Sequence, residues 1–111
     1  MIPRLAAAAR AAAALLLFAV PSAHAQELVA VPPLTSPVTD VAGIFTPDQS
    51  AALDAKLRAF EQAKGSQVAV LVVPTTQPEE IEQYAMRVAE AWKLGREGVD
   101  DGALLLVAVQ D

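Results

Sequence analysis

The sequence predicts an α/β fold, a three-layer α/β/α sandwich built on a βαβ unit and truncated after its second core strand. Three observations carry that reading. Thr46-Pro47-Asp48-Gln49 opens a capped amphipathic helix. Two apolar runs, Gln67–Val73 (QVAVLVV) and Ala103–Val109 (ALLLVAV), read as strands buried on both faces, as parallel sheets require. Between them lies a second helical pattern, from Pro78 to Trp92.

Taken from the start, residues 1–25 read as a secretory signal peptide. Arg4 and Arg10 make a positive region without acids, and Ala11 to Val20 is an apolar stretch of ten residues. Pro21 and Ser22 break it, and Ala23-His24-Ala25 offers the small-x-small cleavage site that leaves Gln26 first. The apolar stretch is far short of the roughly 18–20 residues that cross a bilayer. An exported protein is expected, periplasmic or extracellular. Residues 26–36 contain Pro32 and Pro33 without helical period, an extended linker expected to let the domain stand off from its N-terminus.

In the first helix, Thr46 caps, Pro47 takes the first position and Gln49 completes a capping box. Leu53, Leu57 and Phe60 form its buried stripe, Asp54 and Arg58 pair at i, i+4, and Gly65 ends it. In the second helix Pro78 is expected at the start, with Glu79, Glu80 and Glu82 complementing the positive helix end. Ile81, Ala85, Val88 and Trp92 are expected on its buried face, Trp92 as a core anchor. Strand, helix and strand in this order predict a right-handed βαβ unit. Two strands leave both sheet edges bare unless Leu28–Val31 adds another, so the chain reads as the N-terminal part of a longer domain.

Composition narrows the chemistry. There is no cysteine, and the one histidine, His24, lies in the leader. Disulfides, thiolate chemistry and histidine catalysis or metal ligation are therefore excluded beyond residue 25. The residues after Ala25 carry all 13 acids against six bases, a balance that repels a nucleic-acid backbone. No nucleotide or organic cofactor motif is present: Gly95, Gly98 and Gly102 follow no strand and have the wrong spacing for a dinucleotide or phosphate loop.

Four stretches in register resemble the TPM domain family. Pro37 to Thr46 (PVTDVAGIFT) is similar to its entry motif and Gly65 to Val73 (GSQVAVLVV) to its first core strand. Glu80 to Trp92 with Leu94-Gly95 is similar to its helix end, and Asp100 to Val107 (DDGALLLV) to its strand entry. The likeness runs over residues 37–111. It implies a three-layer α/β/α domain behind a signal peptide, often followed by a transmembrane helix and a glycine-rich tail. It also implies relatives described as thylakoid-lumen acid phosphatases acting in photosystem II repair, and relatives that bind calcium.

The candidate site residues are few. Asp100 and Asp101, beside Glu97 in a loop held by Gly95, Gly98 and Gly102, offer oxygens to a hard cation; a solvated turn entering the strand at Asp101-Gly102 explains them equally. Asp40 is the other acid matching the family, and an Asx turn ahead of Gly43 explains it as well as a ligand role does. Arg96, with Lys93, suits a phosphate or simply a helix C-terminus. Two functions follow. One is metal-dependent phosphomonoester hydrolysis by metal-bound water, with Asp40, Asp100 and Asp101 holding Ca2+ or another hard cation and Arg96 holding the phosphate. The other is a non-catalytic calcium-binding module that contacts membrane-protein complexes of the envelope. Asp100 and Asp101 belong to the amino end of their strand, whereas the first helix starts near the carboxyl ends.

Overall fold

The computed structural model describes residues 27–95 and 101–111. The leader, Gln26 and the stretch 96–100, with Arg96, Glu97, Gly98 and Asp100, lie outside the described residues. Five elements follow one another: β1 (Val38–Asp40), α1 (Pro47–Lys64), β2 (Gln67–Val73), α2 (Ile81–Trp92) and β3 (Gly102–Ala108). The three strands form one parallel sheet in the order β1-β2-β3. The extra strand is therefore Val38–Asp40, and Leu28–Val31 is not a strand.

β2 is the centre of the molecule, and its alternation divides the core. Ala69, Leu71 and Val73 face Tyr84, Val88 and Trp92 of α2, with Leu104, Leu106 and Ala108 of β3 packed alongside. Val70 and Val72 face the other way with Val38, against Phe45 and α1 residues Leu53 and Leu57. The two crossovers advance in the same direction across the sheet yet lie on opposite faces. They consequently have opposite hands, and only one of them obeys the right-handed preference.

The first helix forms as its sequence dictates. The Gln49 amide donates to Thr46 Oγ1, the Thr46 amide donates to Gln49 Oε1, and Gly65 closes the helix in the left-handed region at φ 79°. Arg58 pairs with Asp54 at 2.7 Å. Phe60 departs from expectation: it is 44% exposed. α1 lies over β1 and β2 and leaves the matching face of β3 uncovered among the described residues, so Leu105, Val107 and Val109 are exposed as well. β3 is thus half-buried on one face and exposed on the other, not buried on two.

α2 begins three residues later than Pro78 suggests, at Ile81, with Glu80 as the N-cap residue. Pro78 belongs to the preceding turn, which is closed by the Glu79 amide on the Thr76 carbonyl. The shift rotates the buried face, so that Tyr84, Val88 and Trp92 are buried at i, i+4, i+8 while Ile81 is exposed. Trp92 is a core anchor, as its type predicts.

The proline-rich segment does not stand off. Val29, Val31 and Leu34 pack against the α2 side of the core. Three α2 side chains donate to its carbonyls: Arg87 to Val29 at 2.8 Å, Tyr84 to Ala30 at 3.0 Å, and Trp92 to Pro32 at 2.7 Å. Proline suits this role because an extended strap that offers carbonyls has no need of its own N–H groups.

Candidate functional site

The carboxyl ends of parallel strands are where ligands of open α/β sheets bind. Here that end carries Asp40 as the last residue of β1, Thr75 and Thr76 after β2, and Asp111 after β3. A cleft of about 970 Å³ opens there, lined by Glu27, Thr76, Glu79, Glu80 and Asp111 among others. No helix among the described residues is long and apolar enough to cross a membrane.

Asp111 is the best-placed carboxylate of the cleft. Its Oδ1 accepts from the Thr75 hydroxyl at 2.6 Å, and its Oδ2 accepts from the Thr76 amide at 3.1 Å and lies 3.3 Å from the Thr76 hydroxyl. The Thr75 hydroxyl, with the Thr76 amide, holds its pKa below the usual carboxylate value against a smaller opposing effect of burial. An anion so stabilised is a ligand or an anchor rather than a proton acceptor. Each carboxylate oxygen has two acceptor positions, and the Thr75 hydroxyl takes one of those on Oδ1. Facing it is the start of α2, where Glu80 provides no side-chain cap, leaving the first-turn N–H groups to other partners.

Asp40 is the organiser of a loop. Oδ1 accepts the amides of Gly43 at 2.8 Å and Ile44 at 3.2 Å, and Oδ2 accepts that of Phe45 at 2.8 Å. Burial works to raise its pKa, but the three N–H donors outweigh it and hold the carboxyl low. Gly43, at φ 72°, allows the chain to wrap the carboxylate in this way. The Asx-turn reading of Asp40 therefore describes its geometry.

Asp101 stands at the other end of the sheet. In the register, Asp40 pairs with Val72 and Gly102 with Gln67, placing the two acids roughly 17–20 Å apart along the strand direction. Asp40 and Asp101 do not meet. No group of three acids that could hold a metal ion occurs among the described residues. Asp101 is half-buried and already has a polar partner of its own.

The glycines around Asp101 have a steric task. A methyl group on Gly102 would lie 2.5 Å from the Gly95 nitrogen and 2.5 Å from the Leu94 carbonyl carbon. The left-handed residue is Gly95, at φ 90°, rather than Gly102. Its amide is received by Gln67 Oε1 at 3.0 Å. Two backbones cross here with nothing between them.

Glu79 differs from the expected helix-end acid. It forms a two-pronged pair with Arg87, at 2.9 Å to Oε1 and 3.1 Å to Oε2, and its side chain is almost fully buried. Glu80 is the N-cap and Glu82 lies in the first turn, where a negative charge suits the helix end. Asp111, Thr75 and Thr76 had a sequence signal that composition conceals: polar residues immediately after an apolar parallel strand fall at the binding end of the sheet.

Fold and cleft together define a small parallel α/β domain with an acidic, hydroxyl-bearing cleft at the carboxyl edge. The family model of the TPM domain, the TPM phosphatase family, matches residues 38–111. The chain belongs to the TPM domain family, whose members are phosphatase-like. No curated protein matches the chain.

Proposed function

We propose that this TPM domain is an exported module that takes a phosphate group together with a hard divalent cation into the cleft at the carboxyl ends of β2 and β3, with phosphomonoester hydrolysis as its reaction. The observation that carries the reading is Asp111, an ionised carboxylate fixed by Thr75 and Thr76 in the lining of the cleft. The carboxylate suits a cation, and a phosphate would enter with it, since the lining is acidic and Glu80 and Glu82 already complement the helix start.

The donors are oxygens throughout, which favours calcium over zinc. Among the described residues Asp111 is the carboxylate that would hold the cation, with the phosphate supplying further oxygens. Asp111 would hold such a cation, whose chemistry when bound would be to lower the pKa of a water molecule. Asp111, kept ionised by Thr75 and Thr76, holds its position without exchanging a proton. Asp100, Asp101 and Arg96 remain proposed as a second cation and phosphate station.

Hydrolysis of p-nitrophenyl phosphate, measured with and without calcium, tests the reading. Asp111→Asn should remove calcium-dependent turnover, while Asp100→Asn with Asp101→Asn should leave it in place. The reverse pattern moves the site to the acid loop. Binding of calcium and inorganic phosphate without turnover favours the second reading, an interaction module of the envelope. Intact mass of the exported protein, beginning at Gln26, tests export.

A further inference from the structure

Arg87 touches three parts of the molecule at once. Its guanidinium is paired through Nε and Nη2 with Glu79, which lines the cleft. Nη2 also donates to the Val29 carbonyl of the proline-rich strap. The group lies over the Tyr84 ring, 5.4 Å from its centre, and the Tyr84 hydroxyl donates to Ala30, the next residue of the strap. Burial pushes the Tyr84 phenol up, so the proton stays available for that bond.

From Glu79 the chain of contacts continues into the cleft. The Thr76 hydroxyl lies 3.1 Å from the Glu79 carbonyl and 3.3 Å from Asp111 Oδ2, so its single proton is shared between rim and carboxylate. Thr76 is 1% exposed, so water does not substitute for these partners. The strap itself returns to the cleft: Glu27, two residues before the Val29 carbonyl, is part of its wall.

We propose that Arg87 is a positioning residue that ties the cleft rim to the N-terminal strap, so that occupancy of the cleft and docking of the strap are coupled. The inference rests on the reading of the cleft as the ligand site. Arginine suits this place because its planar fork serves Glu79 and Val29 together, whereas lysine offers one point of charge. A ligand that draws on Glu79 or Thr76 changes what Arg87 holds, and loosening of the strap displaces Glu27 from the wall. By linkage the two effects have equal size in binding free energy.

The protein carries its own reporter. Trp92 is its single tryptophan, lies at the far end of α2 from the cleft, and donates its indole N–H to Pro32 of the strap. In the full mature chain without ligand, Glu79→Gln should shift Trp92 emission to the red and move its indole N–H resonance, although Glu79 does not touch Trp92. Arg87→Met should do the same, with Arg87→Lys intermediate and serving in its place if the methionine variant does not fold. Unchanged Trp92 signals in Glu79→Gln would overturn the coupling, with or without a ligand. The second arm uses inorganic phosphate with calcium. Tyr84→Phe removes the hydroxyl bond to Ala30 and keeps the ring beneath Arg87 and the helix backbone, yet it should weaken phosphate binding about fivefold. Undiminished binding in that variant, with the strap loosened by the Trp92 signal, also refutes the proposal. Absence of phosphate binding in the unaltered protein counts against the proposed function, and the ligand-free Glu79→Gln result then decides the coupling alone.

Discussion

The two ends of the sheet are built on different physics. At the amino end, order is steric: Gly95 and Gly102 let two backbones touch, and Gln67 receives the Gly95 amide. At the carboxyl end, order is polar: Asp40 gathers three backbone amides, and Asp111 gathers two threonines. A steric end tolerates no added atom. A polar end holds charges in fixed positions, and fixed charge is what recognises a ligand. The contrast leaves the carboxylates with fixed hydrogen-bond partners, Asp40 and Asp111, at the carboxyl end.

The largest effect should come from the amino end. Gly102→Ala puts a methyl group into the crossing at 2.5 Å from two backbone atoms, where no flexible side chain can give way. A loss of about 2–3 kcal/mol in urea unfolding is expected. Gly95→Ala should be at least as severe, since φ 90° adds backbone strain to the clash. If both variants keep the midpoint of the unaltered protein, the crossing is not the organising contact at this end. A smaller effect is expected from Thr76→Val, which keeps shape and removes the shared hydroxyl. It leaves the Glu79 carbonyl and Asp111 Oδ2 short of a donor, at a cost of about 1–2 kcal/mol in the same experiment. A cost matching that of Gly102→Ala would erase the distinction between the two ends.

The difference between what the sequence announces and what it conceals runs along the same line. The helix Pro47–Lys64 is legible because its cap, its first proline and its terminal glycine are local signals, and β2 matches the apolar run Gln67–Val73 residue for residue. β1 is not legible: three residues, Val38–Asp40, become a strand only because β2 offers an edge. The start of α2 is displaced from Pro78 to Ile81 because Thr76 and Glu79 close a turn first, and no periodicity shows that. Arg87 and Tyr84 read as ordinary helix residues, since their partners, Val29 and Ala30, lie more than fifty positions earlier. The candidate site follows the same rule. Asp40 and Asp101 each stand out beside a glycine, but their separation depends on the register of three strands. Asp111 gains its meaning only from Thr75 and Thr76, thirty-five positions and more away in sequence.

The smallest effect belongs to Asp40, and its pH dependence gives it away. Three amide donors hold the folded carboxyl below its ordinary value of 3.8, while the unfolded chain offers none of them. A group depressed in the folded state stabilises the fold fully above its unfolded pKa and stops doing so as pH falls through the folded value. Its share of stability is therefore constant from neutral pH down to about pH 4 and disappears below that. Asp40→Asn keeps one oxygen for Gly43 and Ile44 but gives up the acceptor of the Phe45 amide, so about 1 kcal/mol should be lost at pH 7. The variant lacks the titration, so its stability should fall less steeply between pH 4 and pH 2, and the two curves should converge. Asp111, depressed in the same direction, leaves part of the acid limb in both proteins. Urea midpoints measured across that range read the result directly. Parallel curves would mean that Asp40 carries no more charge stabilisation folded than unfolded, and the carboxyl end of β1 would then be held by its turn geometry alone.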